Sequence, residues 1–327
     1  MKVAHGVSFD RVVKEYQAGR RVVDGVSLDV ERGQFVVLLG PSGCGKTTLL
    51  KSVNRLVELT GGSVSVDGVD VRSVEAATLR RGIGYVIQQV GLFPHMSVAE
   101  NVAVVPSLIG WDRRRIHARV EEMLDLVHLP AAQFGSRFPA ALSGGQQQRI
   151  GLARALAADP DLLLMDEPFG ALDAIERSRL QGEMIDLQRK LCKTVLFVTH
   201  DVDEALRLAD RIVVMRSGRV LQYGSPFQIM ARPADPFVAE LVNAGDLMRL
   251  LSLMRVADVT LLPAADVRTP ETPAIAAQDD LRAALTRMVE AGVSQLSVID
   301  LAGDAKGLLT LEAMLKAAHA LREGDTS

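Results

Sequence analysis

Two cysteines, Cys44 and Cys192, are all that the 327 residues contain, so no disulfide framework is available and a reducing, cytoplasmic compartment is expected. A basic excess is missing too. Lys+Arg 37 against Asp+Glu 40 leaves a net charge of −3, which gives no general attraction to nucleic acid or to an anionic membrane. Long apolar runs are also absent. The mean hydropathy of +0.17 is high for a soluble protein, yet Phe35–Leu39, Asn101–Trp111 and Leu162–Met165 fall far short of the ~18–20 apolar residues of a spanning helix. Met1–His5 opens no apolar signal core with a cleavage site. What is present is 48% hydrophobic and 24% charged residues, a composition that folds, over a length suited to one large domain or two ordinary ones.

Residues 1–39 are expected to form strands and turns. Gly6–Val13 and Val26–Val30 alternate, Glu31-Arg32-Gly33 is a turn, and Phe35–Leu39 is an unbroken apolar run suited to a buried strand. A glycine-rich loop and a helix over Lys46–Leu56 come next, then a hairpin about Asp67-Gly68 and a short strand at Gly82–Val86. From Ser97 to about Asp159 the apolar spacing turns helical, which predicts an inserted helical lobe. Leu162–Met165 and Val195–Val198 are apolar runs each succeeded by a helical pattern, the order of a parallel sheet. Beyond Pro236 the chain carries the proline-bearing stretch Pro263–Pro273, a linker or edge, and then a small β-α-β-β-α unit: Ile275–Ala277, Leu281–Ala291, Gln295–Ile299, Gly307–Leu311 and Glu312–Leu321.

The chemistry begins at Gly40-Pro41-Ser42-Gly43-Cys44-Gly45-Lys46-Thr47, with Thr48 next in the chain. It matches G-x-x-x-x-G-K-[ST] between an apolar strand and a helix. Glycines let backbone N–H groups converge on phosphate oxygens, Lys46 neutralises β/γ charge, and Thr47 offers a hydroxyl to Mg²⁺. A merely tight turn would need neither Lys46 nor Thr47 at these offsets, so a nucleoside triphosphate is the expected ligand. Leu162–Met165 ends in Asp166-Glu167. Asp166 can hold Mg²⁺ through water, and Glu167 can polarise an attacking water as general base. A single carboxylate there would be read as a cap, but a pair downstream of a phosphate loop is not.

Leu142-Ser143-Gly144-Gly145-Gln146-Gln147-Gln148-Arg149 resembles the signature segment of the ATP-binding-cassette (ABC) ATPases. By itself Ser143 is a natural N-cap, and Gly144 and Gly145 allow close approach to a phosphate at a helix start. The resemblance implies a P-loop α/β fold with a RecA-like core, an antiparallel β-subdomain and the inserted helical lobe at about 93–160. It also implies two cassettes stacked head to tail as a homodimer, so that Ser143, Gly144, Gly145, Gln146 and Asp173 reach ATP bound by the partner. Tyr16 matches the aromatic that stacks on adenine, with a strand-surface tyrosine as the alternative. Gln88 matches the glutamine that senses Mg²⁺ and the γ-phosphate, and His200, after Val195–Thr199, the γ-phosphate histidine. The alternative for His200 is a satisfied strand-end cap.

Ile87-Gln88-Gln89-Val90-Gly91-Leu92-Phe93-Pro94-His95-Met96, Asn101, Val105-Pro106 and Phe169-Gly170-Ala171-Leu172-Asp173 together resemble the ATPase subunits of importers for glycine betaine, carnitine, choline and related quaternary amines. The resemblance implies an integral membrane permease as partner, docked on Leu92, Phe93 and Met96 unless those are lobe core. It further implies an extracytoplasmic solute-binding protein and a place on the cytoplasmic face of the membrane. The expected layout is a cassette over 1–242, a linker or degenerate segment over 243–271, and one unit resembling a cystathionine-β-synthase (CBS) regulatory module over 272–327. Two alternatives stay open: a soluble ABC ATPase outside transport, and an importer ATPase for another small solute.

Overall fold

The computed structural model describes residues 5–17, 19–88, 91–263, 272–300 and 302–323. Gln89 and Val90 of the importer-like segment, and 264–271 of the proline-bearing stretch, lie outside these. Contacts divide the chain into one unit up to Tyr223 and a second from Gly224. The sequence boundary at 242 differs from this division by two short helices.

In the first unit, β1 (His5–Gln17) pairs antiparallel with β2 (Arg20–Glu31), so the strand expected over Gly6–Val13 continues to Gln17. Next come β3 (Phe35–Leu39) and α1 (Lys46–Val53), with β4 (Gly61–Val66) and β5 (Val69–Asp70) flanking the Asp67-Gly68 turn. The helix α1 stops three residues short of the sequence expectation, capped at Asn54. α2 (Ala76–Arg81) leads into β6 (Ile83–Val86). The helical lobe consists of α3 (Val98–Leu108), α4 (Arg113–Leu126), α5 (Ala131–Phe134) and α6 (Gly144–Leu156). The chain then returns through β7 (Leu162–Asp166), α7 (Ala174–Leu191), β8 (Thr194–Thr199), α8 (Val202–Leu208) and the hairpin partners β9 (Arg211–Arg216) and β10 (Arg219–Gly224).

Two sheets result. One is four-stranded, in the order β2-β1-β4-β5, and the other six-stranded, in the order β10-β9-β3-β8-β7-β6. In the larger sheet β6, β7, β8, β3 and β9 run parallel, with Val86 opposite Met165, Asp166 opposite Val198, and Leu39 opposite both Thr199 and Val214. All residues of β3, β7 and β8 are buried, which is why these segments are continuous apolar runs rather than alternating ones. This register has a functional consequence: the segments leaving β3, β6, β7 and β8 emerge at one edge of the sheet, the carboxyl edge, where open α/β sheets bind ligands.

The second unit contains α9 (Pro226–Ala231), α10 (Pro236–Val242) and α11 (Leu247–Ser252), and then β11 (Ala274–Ala276), α12 (Leu281–Ala291), β12 (Gln295–Ile299), β13 (Ala305–Thr310) and α13 (Leu311–Glu323). β11 and β12 are parallel, and β12 and β13 antiparallel, in the β-α-β-β-α order expected. Part of the expected linker is also built into this sheet. Leu262 and Leu308 exchange two backbone hydrogen bonds of 2.9 and 3.0 Å, and Leu281 N–H donates to the Met254 carbonyl at 2.9 Å.

Candidate functional site

The phosphate-loop segment leaves β3 and enters α1 through Gly40, Gly43 and Gly45, all at positive φ. Two of these cannot be anything else. A Cβ on Gly40 would lie 2.2 Å from the Met215 carbonyl oxygen, and one on Gly45 would lie 2.5 Å from that of Val22. Gly43 has open space where a Cβ would stand, and Ser42 and Gly43 are exposed, so the loop's outer face is free to meet phosphate. Lys46 is only 5% exposed, and its Nζ donates to the carbonyls of Gly40 at 2.7 Å and Pro41 at 2.9 Å. The ammonium is thus folded into its own loop, an anchorage that a phosphate can replace. The Cys44 thiol, 3.9 Å from Lys46 Nζ, is held protonated by burial, which pushes its pKa up. Thr48 is half-buried on α1.

At the end of β7 the two carboxylates diverge. Asp166 accepts from the Thr47 hydroxyl at 2.8 Å and lies 3.4 Å from Lys51 Nζ. Hydroxyl and carboxylate oxygens side by side are the hard donors that suit Mg²⁺, which keeps most of its ligands as water and phosphate. Glu167 holds φ at 45°, a left-handed conformation uncommon outside glycine, fixed by its N–H donating to the Val198 carbonyl at 3.0 Å. The turn aims its carboxylate along the sheet edge, where His200 Nδ1 is 3.2 Å and Gln88 Nε2 3.5 Å away. Three of the residues chosen from the sequence therefore converge although 79 and 33 positions separate Gln88 and His200 from Glu167.

His200 is supported from beneath. Thr199 Oγ1 donates to Glu204 at 2.6 Å and accepts from the Asp201 N–H at 2.9 Å, and Gln181 donates to the same buried Glu204 carboxyl at 3.2 Å. Burial is the chief reason that the Glu204 pKa is raised. Arg177 spans from the Leu172 carbonyl, at 3.1 Å, to the Asp201 carboxylate, at 3.4 Å. It thereby ties the Ala171–Asp173 loop to the segment after His200. Lys51 and Arg177 were not singled out from the sequence, because no local motif marks a residue whose partners are distant.

The signature residues open the lobe helix α6. Ser143 caps α6 in a reciprocal box with Gln146, Gln146 N–H donating to Ser143 Oγ at 3.3 Å and Ser143 N–H to Gln146 Oε1 at 3.0 Å. Gly144 is exposed, while a Cβ on Gly145 would press on Glu176 of α7 at 3.1 Å. Asp173 caps α7, accepting from Ile175 and Glu176 N–H at 3.0 Å each. Tyr16 is 59% exposed on β1, with Lys14 Nζ 4.9 Å above its ring. An aromatic face is therefore on offer there, with one side taken by a cation.

In the lobe, Leu92 and Met96 are half-buried and Phe93 is 39% exposed, a mixture of core and surface. Fully buried Asn101 shapes this turn. Its amide accepts from Phe93 N–H at 2.8 Å and donates to the carbonyls of Phe93, Met96 and Ser97 at 3.0–3.1 Å. Arg154 adds a bond of 2.7 Å to the Gly91 carbonyl and lies 5.9 Å from the Phe93 ring.

A family model described as ABC transporter matches residues 23–170. The chain is 48% identical over 289 residues to an osmoprotectant import ATP-binding protein of Salmonella typhimurium, covering 88% of this chain and 74% of that one. It is 44% identical over 306 residues to a carnitine transport ATP-binding protein of Listeria monocytogenes, covering 94% and 75%. It is 46% identical over 313 residues to a glycine betaine uptake system ATP-binding protein of Escherichia coli, covering 94% and 99%. Among solved structures, cbiO1 of Clostridium perfringens, part of an ABC transporter complex, has a TM-score of 0.65 at 26% identity, covering 71% of this chain and 92% of that one. A dimeric ATP-binding cassette in a post-hydrolysis state with ADP and Pi has a TM-score of 0.61 at 32% identity, covering 67% and 98%.

Proposed function

We propose, for a chain that belongs to the ATP-binding proteins of the ABC transporter family, that it energises the uptake of glycine betaine, carnitine, choline or a related quaternary amine through a separate membrane permease. The carrying observation is the carboxyl-edge cluster, in which Glu167 meets His200 and Gln88 beside the Thr47–Asp166 pair. The solute class is supported by the osmoprotectant, carnitine and glycine betaine relatives, which align over 88–94% of the chain.

ATP is held by the Gly40–Thr48 loop, with Tyr16 against the adenine. Binding draws Lys46 from the Gly40 and Pro41 carbonyls to the β/γ-phosphates. Thr47, Asp166 and Gln88 are the residues that would hold Mg²⁺, and the ion would supply neutralisation of charge developing on the phosphate oxygens. Glu167 takes a proton from the attacking water. His200, donating its Nδ1–H, orients that carboxylate beside the γ-phosphate. Ser143, Gly144, Gly145, Gln146 and Asp173 act in trans on the ATP of a second copy, which suits the exposure of Ser143, Gly144 and Asp173. ATP binds the closed dimer more tightly than the open one, and that difference does the work on the permease.

The permease docks on Leu92, Phe93 and Met96, with the assembly on the cytoplasmic face of the membrane. No helix among the described residues is long and apolar enough to cross a bilayer. We read 272–327 as a CBS-like regulatory unit, supported by its β-α-β-β-α order. A cleft in the second unit, lined among others by Asp258, Thr260, Thr310, Glu312 and Lys316, would take its signal, an adenine nucleotide being the favoured class.

Assembled with its permease and solute-binding protein, the chain should show ATP hydrolysis stimulated by glycine betaine. Phe93→Ala should lower that stimulation while basal hydrolysis by the isolated subunit persists. Stimulation by none of the quaternary amines would contradict the solute class, and unchanged stimulation in the Phe93 variant would contradict the docking site.

A further inference from the structure

α6 and α7 begin at Ser143 and Asp173, and each is capped there by that side chain. Further along, an ion pair ties the two helices together. Arg149 is only 6% exposed, and its Nη2 donates to the Glu183 carboxylate of α7 at 2.7 Å. Its Nη1 donates at 3.0 Å to the carbonyl of Val127, the C-cap of α4, an end where the helix dipole favours a cation. Glu183 also lies 3.4 Å from Arg179 Nε, and Arg179 Nη1 lies 3.9 Å from Glu176. Glu176 in turn is the side chain that a Cβ on Gly145 would meet, and one on Gly144 would stand 3.9 Å from Leu172 Cδ2. The contacts therefore leave α6 at Arg149, run along α7, and return to the first turn of α6. A buried pair of this kind is costly to desolvate, and well-packed apolar side chains would serve stability as well or better. Packing beside it is incomplete. A cavity of about 40 Å³, walled in part by Leu152, Met165, Phe169 and Met184, adjoins the pair, and Gln148 Nε2 is buried there without a partner among the described residues. Apolar contact thus leaves α6 some latitude, which a planar guanidinium bonded in two directions removes.

We infer that Arg149 and Glu183 are positioning residues, a joint that holds the starts of α6 and α7 as one rigid surface offered to the ATP of a second copy. The inference rests on the reading that Ser143, its glycines and Asp173 act in trans. About 9 Å of α6 separates Ser143 from Arg149, and about 15 Å of α7 separates Asp173 from Glu183. A rotation at the joint is carried along both helices to their caps. With the pair intact, Ser143 and Asp173 arrive together. With it broken, each helix keeps its own cap but their relative placement spreads over several orientations, of which only some fit a second copy.

The test is ATP-driven self-association of the full chain, followed by sedimentation velocity in a Glu167→Gln background in which ATP persists. R149M/E183M should keep the Tm of that background, apolar replacement of a buried pair being neutral or stabilising. It should also bind a fluorescent ATP analogue equally well, since the phosphate loop lies on other elements. Its dimer should nevertheless form at least about tenfold more weakly, the factor expected when the competent orientation falls to about a third of the population in each of two copies. Glu183→Gln, which leaves Arg149 an uncharged acceptor, should show a loss in the same direction. Asp186 and Arg189 form an exposed pair on the same helix, 4.0 Å apart, and D186M/R189M should dimerise as the background does. Unchanged dimerisation by R149M/E183M or, should that variant not reach the background Tm, by Glu183→Gln would overturn the inference, as would an equal loss in D186M/R189M. Ser143→Arg keeps the two readings apart. A dimer that still forms with it removes the in-trans reading and the joint with it, whereas a loss confined to Ser143→Arg removes the joint alone.

Discussion

In the proposed mechanism Glu167 is the residue on which hydrolysis turns, because it combines a carboxylate at the sheet edge with contacts to both His200 and Gln88. Glu167→Gln keeps the shape and the hydrogen bonds but cannot accept the water's proton. Hydrolysis should fall by at least ~10²-fold, a general base contributing ~10²–10⁴, while a fluorescent ATP analogue still binds. Near-parental turnover would remove Glu167 from that role. This residue was legible in the sequence because its signal is local: an apolar strand, two acids, and a phosphate loop upstream. The phosphate loop was legible for the same reason, its glycines standing where a Cβ would strike the Met215 or Val22 carbonyl. Glu204 gave a weaker signal, as part of the Thr199-His200-Asp201 and Glu204-Ala205 setting expected around His200, and only the fold shows it buried beside Thr199 and Gln181. Burial raises its pKa, so the native state favours its neutral form, and the stability this lends is full at low pH and lost as pH rises through the raised value. Glu204→Gln, a permanent neutral mimic, should therefore raise Tm at pH 8, with the gain vanishing below the ordinary value of 4.5. A Tm difference independent of pH would contradict that account.

Helices and strands set which of these residues meet. Parallel pairing of β6, β7, β8 and β3 brings Gln88, Asp166-Glu167, His200 and the phosphate loop to one edge, and it was foreseeable from continuous apolar runs alternating with helical patterns. The turn before α3 was not foreseeable, because it is organised by one amide reaching back eight residues. Asn101→Ala would strip four hydrogen bonds from the Phe93–Ser97 turn. The loss should be about 2–3 kcal/mol of stability, taking 1–3 for each buried group left unpaired and water at the exposed rim. Denaturant unfolding should show it, with ATP affinity intact because the phosphate loop lies on other elements. No change in midpoint would mean that the turn holds its shape without Asn101. At the C-terminal side, the order of β11 to α13 was readable from alternation and glycine stops. The recruitment of Leu262 to β13 was not, since a single bridged residue has no period.

At the scale of the whole molecule, the proposal makes the cluster at the carboxyl edge of the sheet and the signature helix on the lobe two halves of a site that a single chain does not close. On that proposal a head-to-tail pair of cassettes would supply both halves twice; a related cassette is a dimer with ADP and Pi. The composition is consistent with such a subunit, apolar enough for a large core and without spanning helices among the described residues. The sequence could not display the solute, because no residue of an importer's ATP-binding subunit has to touch it. The central claim is that hydrolysis at Glu167 drives solute uptake, and it is tested most directly in proteoliposomes containing the permease, its solute-binding protein and this chain, with ATP enclosed and labelled glycine betaine outside. Uptake should accumulate with the parent chain and fall to the no-ATP level with Glu167→Gln. Equal accumulation by the two chains, or none by a parent chain that hydrolyses ATP in the same vesicles with each quaternary amine tried, would contradict it.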